Sequence, residues 1–316
     1  MKKIPEPNLL IGFDSADDAA VYKLSSDFCV IHTVDFFPPI VDDPYEFGQI
    51  AAANSLSDIY AMGGTPVSAL NLLGVPNCLA PWVTKEILRG GNEKAIEAGI
   101  NISGGHSIEN DAPLYGLSVV GVIPEAGILA NSGAKVGHQI VLTKALGSGI
   151  LTTADKAGML TQAQHKELIQ TLSALNRWPA EQVKGLHPSS CTDITGFGLI
   201  GHAAEMAEGS GQSIHLWGRT LPFLPGALDG ARDGLIPAGA YANREYLGER
   251  YALEGELPIE IEDVAFDPQT SGGLLYALEP EEAEEYVRRL HAAGLDGAII
   301  GEVVEREDKV IKLLNR

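Results

Sequence analysis

The sequence is poor in cysteine, poor in basic charge, and has no long apolar run. Its 316 residues hold three cysteines, Cys29, Cys78 and Cys191, and no two stand in a CxxC spacing. Neither a disulfide framework nor a zinc ribbon can be built from them. Such thiol usage fits a reducing compartment, and a cytoplasmic setting is expected. Cys191 lies two residues from Asp193, whose charge would raise a thiol pKa rather than activate it. Lys and Arg number 22 against 42 Asp and Glu, a formal charge of -20. That surface repels phosphate backbones and anionic headgroups, which argues against nucleic acid and membrane partners. An anionic ligand would need a local cation to reverse the sign. No segment approaches membrane-spanning length. Pro5, Glu6 and Pro7 interrupt the N-terminal stretch before it can read as a signal peptide. There is no GxxxxGK(S/T) phosphate loop. A literal GxGxxG at 196–201 follows the polar stretch HPSSCTDIT, and the later strand SIHLW ends without an acid, so a dinucleotide-binding fold is disfavoured.

Glycine and aspartate are abundant, and they occur together. Asp17 and Asp18 lie in DSADDAAVY, Asp35 in TVDFFPPIVDDP, Asp58 in NSLSDIYAMGG and Asp193 in CTDITGFG. GGHS at 104–107 and DPQTSGG at 267–273 complete the pattern. Hard carboxylate oxygens with few lysines nearby suit Mg²⁺ held between protein and phosphates. Neighbouring glycines let a backbone come close to a ligand. A metal–nucleotide site is the expectation. Singly, the aspartates are ambiguous. Asp17 and Asp18 could simply initiate a turn, and Asp35 could simply end a strand. Asp193 could cap the helix after it, or bind metal beside a helix N-terminus that attracts phosphate. Asp58 falls near a helix C-terminus, where the dipole is negative and a carboxylate favours a cation partner. Asn54, four residues earlier, shares its face. His106 reads either as a hydrogen-bonded structural histidine or as part of a backbone N–H cradle at 104–107.

Strands alternating with helices predict an α/β or α+β architecture. The apolar spacing predicts strands at 28–34, 66–75, 100–103, 114–123, 140–143, 213–217 and 273–279, with AIIGEVV as a last core strand. It predicts helices at 45–62, at 82–98 with an interruption at Gly90-Gly91, through HAAEMAE, and over PEEAEEYVRRLHAAG. The loop-like PEAGILANSGAKVGHQ places a domain boundary after residue 123, giving domains 1–123 and 124–316.

The blocks DDAAVYKL, TVDFFPPIVDDPYEFGQIAAANSLSDIYAMGG, SGGHSI, TDITGFGLIGH and DPQTSGGLL resemble selenophosphate synthetase, also called selenide, water dikinase, in order from about residue 8 onward. The wider superfamily includes aminoimidazole ribonucleotide synthetase, thiamine-monophosphate kinase and a hydrogenase maturation protein. The resemblance implies synthesis of selenophosphate, AMP and orthophosphate from ATP, selenide and water. It implies a two-domain aminoimidazole ribonucleotide synthetase-like fold, α/β (α+β). In that fold the N-terminal domain binds ATP and Mg²⁺ and pairs with a second copy into a homodimeric, β-barrel-like core. It implies Mg²⁺ ligands at Asp18, Asp58 and Asp193, and ATP contacts at Ser15, Ala16, Asp17, Asp35 and Asp58. Gly105, His106 and Ser107 match a segment that reaches the ATP of the neighbouring subunit. The family also carries a glycine-rich segment with a reactive Cys or selenocysteine and a Lys close after it, upstream of the region matching PNLLIG. The sequence begins only a few residues before that region, so no residue is assigned as catalytic and a nucleotide-binding core is expected. Two other readings stay open. One is a different ATP-dependent small-molecule kinase or synthetase of the superfamily, with ADP as coproduct. The other is a non-catalytic Mg-ATP-binding partner.

Overall fold

The computed structural model describes residues 6–12 and 17–316. The first half is organised by a helix buried on every side, α1 (Pro44–Ala61). Asp43 starts it, its side chain accepting from the Tyr45 and Glu46 backbone N–H groups at 2.8 and 3.0 Å. Pro44 fits the first turn, where a missing N–H costs nothing. From Phe47 to Ala61 every residue but Gln49 is buried. A helix apolar or small all round belongs inside a protein rather than on its surface.

The helix lies on a six-stranded sheet of β1 (Leu9–Ile11), β2 (Ala20–Lys23), β3 (Cys29–Phe37), β4 (Thr65–Val75), β5 (Ile102–Glu109) and β6 (Leu114–Ile123). The strand order is β1-β2-β3-β6-β4-β5, and only β4 and β5 run parallel. A second helix, α2 (Pro81–Glu97), packs along α1. The predicted break at Gly90-Gly91 does not occur. These glycines instead let two helices and a strand meet at close range: a Cβ on Gly90 would lie 2.1 Å from the Tyr45 carbonyl oxygen, and one on Gly91 would lie 1.9 Å from the Tyr115 hydroxyl.

The second half runs β7 (Gln139–Leu142), α3 (Ser148–Lys156), α4 (Gln162–Ser173), α5 (Arg177–Gln182), β8 (Ser190–Asp193), α6 (Gly198–Gly209) and β9 (Ser213–Trp217). It continues with α7 (Ala227–Arg232), α8 (Ala238–Leu247), β10 (Tyr251–Glu254), α9 (Ile259–Phe266), β11 (Leu274–Leu278), α10 (Pro280–Ala292), β12 (Ala298–Val304) and β13 (Ile311–Leu314). Its strands form a seven-stranded mixed sheet, ordered β10-β13-β9-β12-β7-β11-β8. The predicted α/β (α+β) class is what the two sheets and their helices display. Helix α1 touches β8, α4 and α5, so this one helix belongs to the packing of both halves.

Three local expectations are corrected. The strand expected to end at Asp35 continues to Phe37, because Phe36 and Phe37 keep pairing with Gly116 and Tyr115 of β6. The strand expected to stop at Ser103 runs on to Glu109, paired with β4. The polar stretch before the GxGxxG conceals β8, whose four residues are all buried; their hydroxyls and carboxylate bond internally.

Candidate active site

Four carboxylates converge where α1 meets β3 and β8. On a strand, residues two apart share a face; on a helix, residues four apart do. Thr33 and Asp35 of β3 therefore face Asp58 and Asn54 of α1. The Thr33 hydroxyl donates to Asp58 Oδ2, and Asn54 Nδ2 donates to Asp35 Oδ2 at 3.1 Å. From the second half, Asp193 ends β8 and accepts from the Ser57 hydroxyl. Ser57 in turn accepts from Asn176 Nδ2 at 2.8 Å. Asp18, just before β2, accepts from the Thr192 hydroxyl at 2.7 Å through Oδ1. Its Oδ2 is buried with no partner. Asp17 Oδ1 accepts from the Asn131 backbone N–H at 2.9 Å. Asp17 and Asp18 line a cavity of about 300 Å³ together with His32 and Thr33. Ser15 and Ala16 lie outside the described residues.

The electrostatics follow from this crowding. Burial pushes the Asp35 carboxyl up to about 7, with Asp193 adding to it. Burial and then Asp193 hold Asp58 and Asp18 well above the usual carboxylate range. Burial raises Asp193 as well, opposed by the Ser57 hydrogen bond, His202 and Lys144. Four buried acids that repel one another favour either shared protons or a cation. The buried bases beside Asp193 are His202, which acts on it more strongly, and Lys144. Burial lowers its ammonium to about 7, against the pull of Asp193. Its Nζ donates to the carbonyls of Ser271 and Ala174 at 2.7 and 2.8 Å. Among the described residues no three Asp, Glu, His or Cys side chains form a group that could hold a metal ion.

Other expected residues fall elsewhere. Asp193 is not a helix N-cap: α6 begins at Gly198, whose N–H donates to the Thr195 carbonyl, and Phe197 at the cap makes no side-chain hydrogen bond. Gly105, His106 and Ser107 do not join the acid cluster within one chain. They lie on the edge strand β5, and β6 and β4 separate β5 from β3 by three strand spacings, roughly 14 Å. The backbone there is an exposed strand rather than a turn-like cradle; it lines a groove of about 470 Å³ with Asn71 and Asn92. The DPQTSGG segment is structural at its start. Asp267 Oδ2 accepts from the backbone N–H groups of Gly149 and Ile150, and Gln269 Oε1 from those of Gly147 and Ser148. The start of α3 is thus filled by protein acceptors. Sequence reasoning missed Ser57, Asn176 and Lys144. A lysine closing the apolar run IVLT reads as a solvent-facing strand end, and only the tertiary fold buries it.

The chain matches the AIR synthase related protein, N-terminal domain, over residues 16–123, and the AIR synthase related protein, C-terminal domain, over residues 135–313. The selenide, water dikinase of Clostridium botulinum is 49% identical to it over 311 residues, covering 98% of this chain and 90% of that protein. The selenide, water dikinase of Clostridioides difficile is 46% identical over 308 residues, covering 97% and 88%. The chain belongs to the selenide, water dikinase family. Among solved structures, the thiamine-monophosphate kinase of Stenotrophomonas maltophilia matches with a TM-score of 0.70 at 19% identity, covering 97% of this chain and 91% of that one, a likeness of fold. The aminoimidazole ribonucleotide synthetase-like fold expected from the sequence is therefore present. In this selenide, water dikinase family member, the acid cluster draws on both matched regions: Asp18, Asp35 and Asp58 fall in the first, and Asp193 in the second.

Proposed function

We propose that this protein makes selenophosphate from ATP, selenide and water, releasing AMP and orthophosphate, with its acid cluster as the Mg–nucleotide site. The observation that carries the reading is the 49% identity to a selenide, water dikinase over 98% of the chain. The cluster itself supports it, because the donor set fits the ion. It is all oxygen, as a hard divalent cation prefers, it carries excess negative charge, and Asp18 Oδ2 has no protein partner. Mg²⁺ keeps several water and phosphate ligands, so one or two carboxylates suffice and a closed protein cage is not required. We assign Asp18, Asp58 and Asp193 to hold it. When bound, the ion would neutralise phosphate charge and let an anion enter a chain of formal charge -20.

The chain's own groups then orient ATP. Asp17, Asp35 and Asp58 are assigned as contacts to it, as are Ser15 and Ala16 from the resemblance alone. The outer face of the first sheet exposes Val34, Phe36, Val67, Leu70 and Ile108. An apolar face of that kind supports the homodimer, with the two first sheets packed together. That packing would carry Gly105, His106 and Ser107 to the partner's nucleotide. The separate six- and seven-stranded sheets support a division into domains at 1–123 and 124–316. The three cysteines are free, which supports a cytoplasmic setting. No described helix is long and apolar enough to cross a membrane.

Phosphorus NMR with Mg-ATP and selenide under anaerobic conditions tests the reading. The expected result is a selenium-coupled phosphorus signal appearing with AMP. ADP as the final nucleotide, with a different phosphorylated acceptor, would replace the assignment by a small-molecule kinase. Failure to bind Mg-ATP in calorimetry would overturn the site.

A further inference from the structure

The second part of the 267–273 loop crosses to the acid cluster by two routes. On one, the Ser271 backbone N–H donates to Asn54 Oδ1 at 2.8 Å, and the amide nitrogen of Asn54 donates to Asp35. On the other, Asn176 Nδ2 donates to the Gly272 carbonyl at 2.8 Å and to Ser57, which donates to Asp193. The second route is buried throughout, and the first is buried as far as Asn54 and ends on the half-buried Asp35. Ser271 has a φ of 48°, and it is the one non-glycine residue with positive φ among the described residues. A side chain in that backbone region is held there by its surroundings.

One ammonium group touches both routes. Lys144 Nζ donates to the carbonyl of Ser271 itself and to that of Ala174, two residues before Asn176. Three donors on a flexible stem can bridge two carbonyls in this way. We propose that Lys144 is a positioning residue for the nucleotide site: by clamping the Ser271 and Ala174 carbonyls it fixes Asn54 and Asn176, and through them the directions of the Asp35 and Asp193 carboxylates. This rests on the reading of the acid cluster as the Mg–nucleotide site.

The test is a double-mutant cycle in the full chain, read by calorimetry with Mg²⁺ and the non-hydrolysable β,γ-imido analogue of ATP. Lys144→Met keeps the stem and removes the donors; Asn54→Ala removes the link to Asp35. Each single change is expected to weaken analogue binding roughly tenfold, and the pair together no more than about twentyfold, because the Asn54 route, through which Lys144 acts in part, cannot be lost twice. Losses that multiply to about a hundredfold, or unaltered affinity in Lys144→Met, would overturn the positioning role. A purely structural lysine would lower the melting temperature without this coupling. If Lys144→Met does not fold, Lys144→Gln runs the same cycle, since its amide nitrogen stops one bond short of the Nζ position. An unaltered protein that does not bind the analogue would overturn the nucleotide reading itself. Binding with independent losses would overturn only the clamp.

Discussion

Replacing Asp35 by Asn should stabilise the nucleotide-free protein, and only away from acid pH. The Asp35 carboxyl is raised from 3.8 to about 7 in the folded chain by burial and by Asp193. Between those values the folded protein holds a proton that the unfolded chain has released. Stability therefore falls as pH rises through this window, with no cost below about pH 4 and the full cost above about pH 7. A difference of about 3 pH units at roughly 1.4 kcal/mol each sets a ceiling of about 4 kcal/mol. The repulsion from Asp193 is shared with other carboxyls and relaxes as they take up protons, so about 2–4 kcal/mol is the expected gain at pH 8. Asn has the same shape, and its carbonyl oxygen can still accept from Asn54 Nδ2. At roughly 2.1 cal/mol/K of unfolding entropy per residue, that gain raises the melting temperature by about 3–6 °C. Thermal unfolding of D35N and the parent protein from pH 4 to pH 8.5, with a chelator present, measures it. An equal gain at both ends of the range, or a loss at pH 8, would refute the reasoning. Adding Mg²⁺ should shrink the gain, because the cation relieves the same repulsion in the parent.

Asp18→Asn should raise the melting temperature at neutral pH, since burial and Asp193 hold this carboxyl well above its usual range, yet weaken Mg-nucleotide binding in calorimetry by about 100-fold; wild-type affinity would remove Asp18 from the ligand set. Gly90→Ala drives a methyl group to within 2.1 Å of the Tyr45 carbonyl oxygen, and should cost about 2–3 kcal/mol in urea unfolding. An unchanged midpoint would mean that the α1–α2 contact is looser than drawn. Phe36→Glu places a charge on a side chain that is 53% exposed in the single chain. It should raise the dissociation constant of the proposed dimer at least tenfold in sedimentation, and an unaffected dimer would place the interface on another face.

The residues legible in the sequence were those whose chemistry and local spacing point the same way. Asn54 and Asp58 share a helix face, and the structure buries both against β3. The strands at 114–123 and 213–217 match their sequence patterns to the residue, because each is an apolar run bounded by turn residues. What could not be read depends on long-range closure. The strand β8 is short and polar in composition, and it becomes a strand because β11 pairs with it. Gly90 and Gly91 lower helix propensity, and the contact that favours them there involves residues far away in sequence, Tyr45 and Tyr115. Lys144 is silent for the same reason: its two carbonyl partners lie 30 and 127 residues away.

The burial of α1 on all sides has a consequence for modularity. A surface helix could be exchanged between relatives together with its own sheet. This helix carries Ser57 into contact with the other half, and it seats against β8, α4 and α5. A chimera joining residues 1–123 of one family member to the remainder of another would have to match that seat residue by residue. The two halves are therefore expected to change in step, with compensating substitutions concentrated where α1 meets β8.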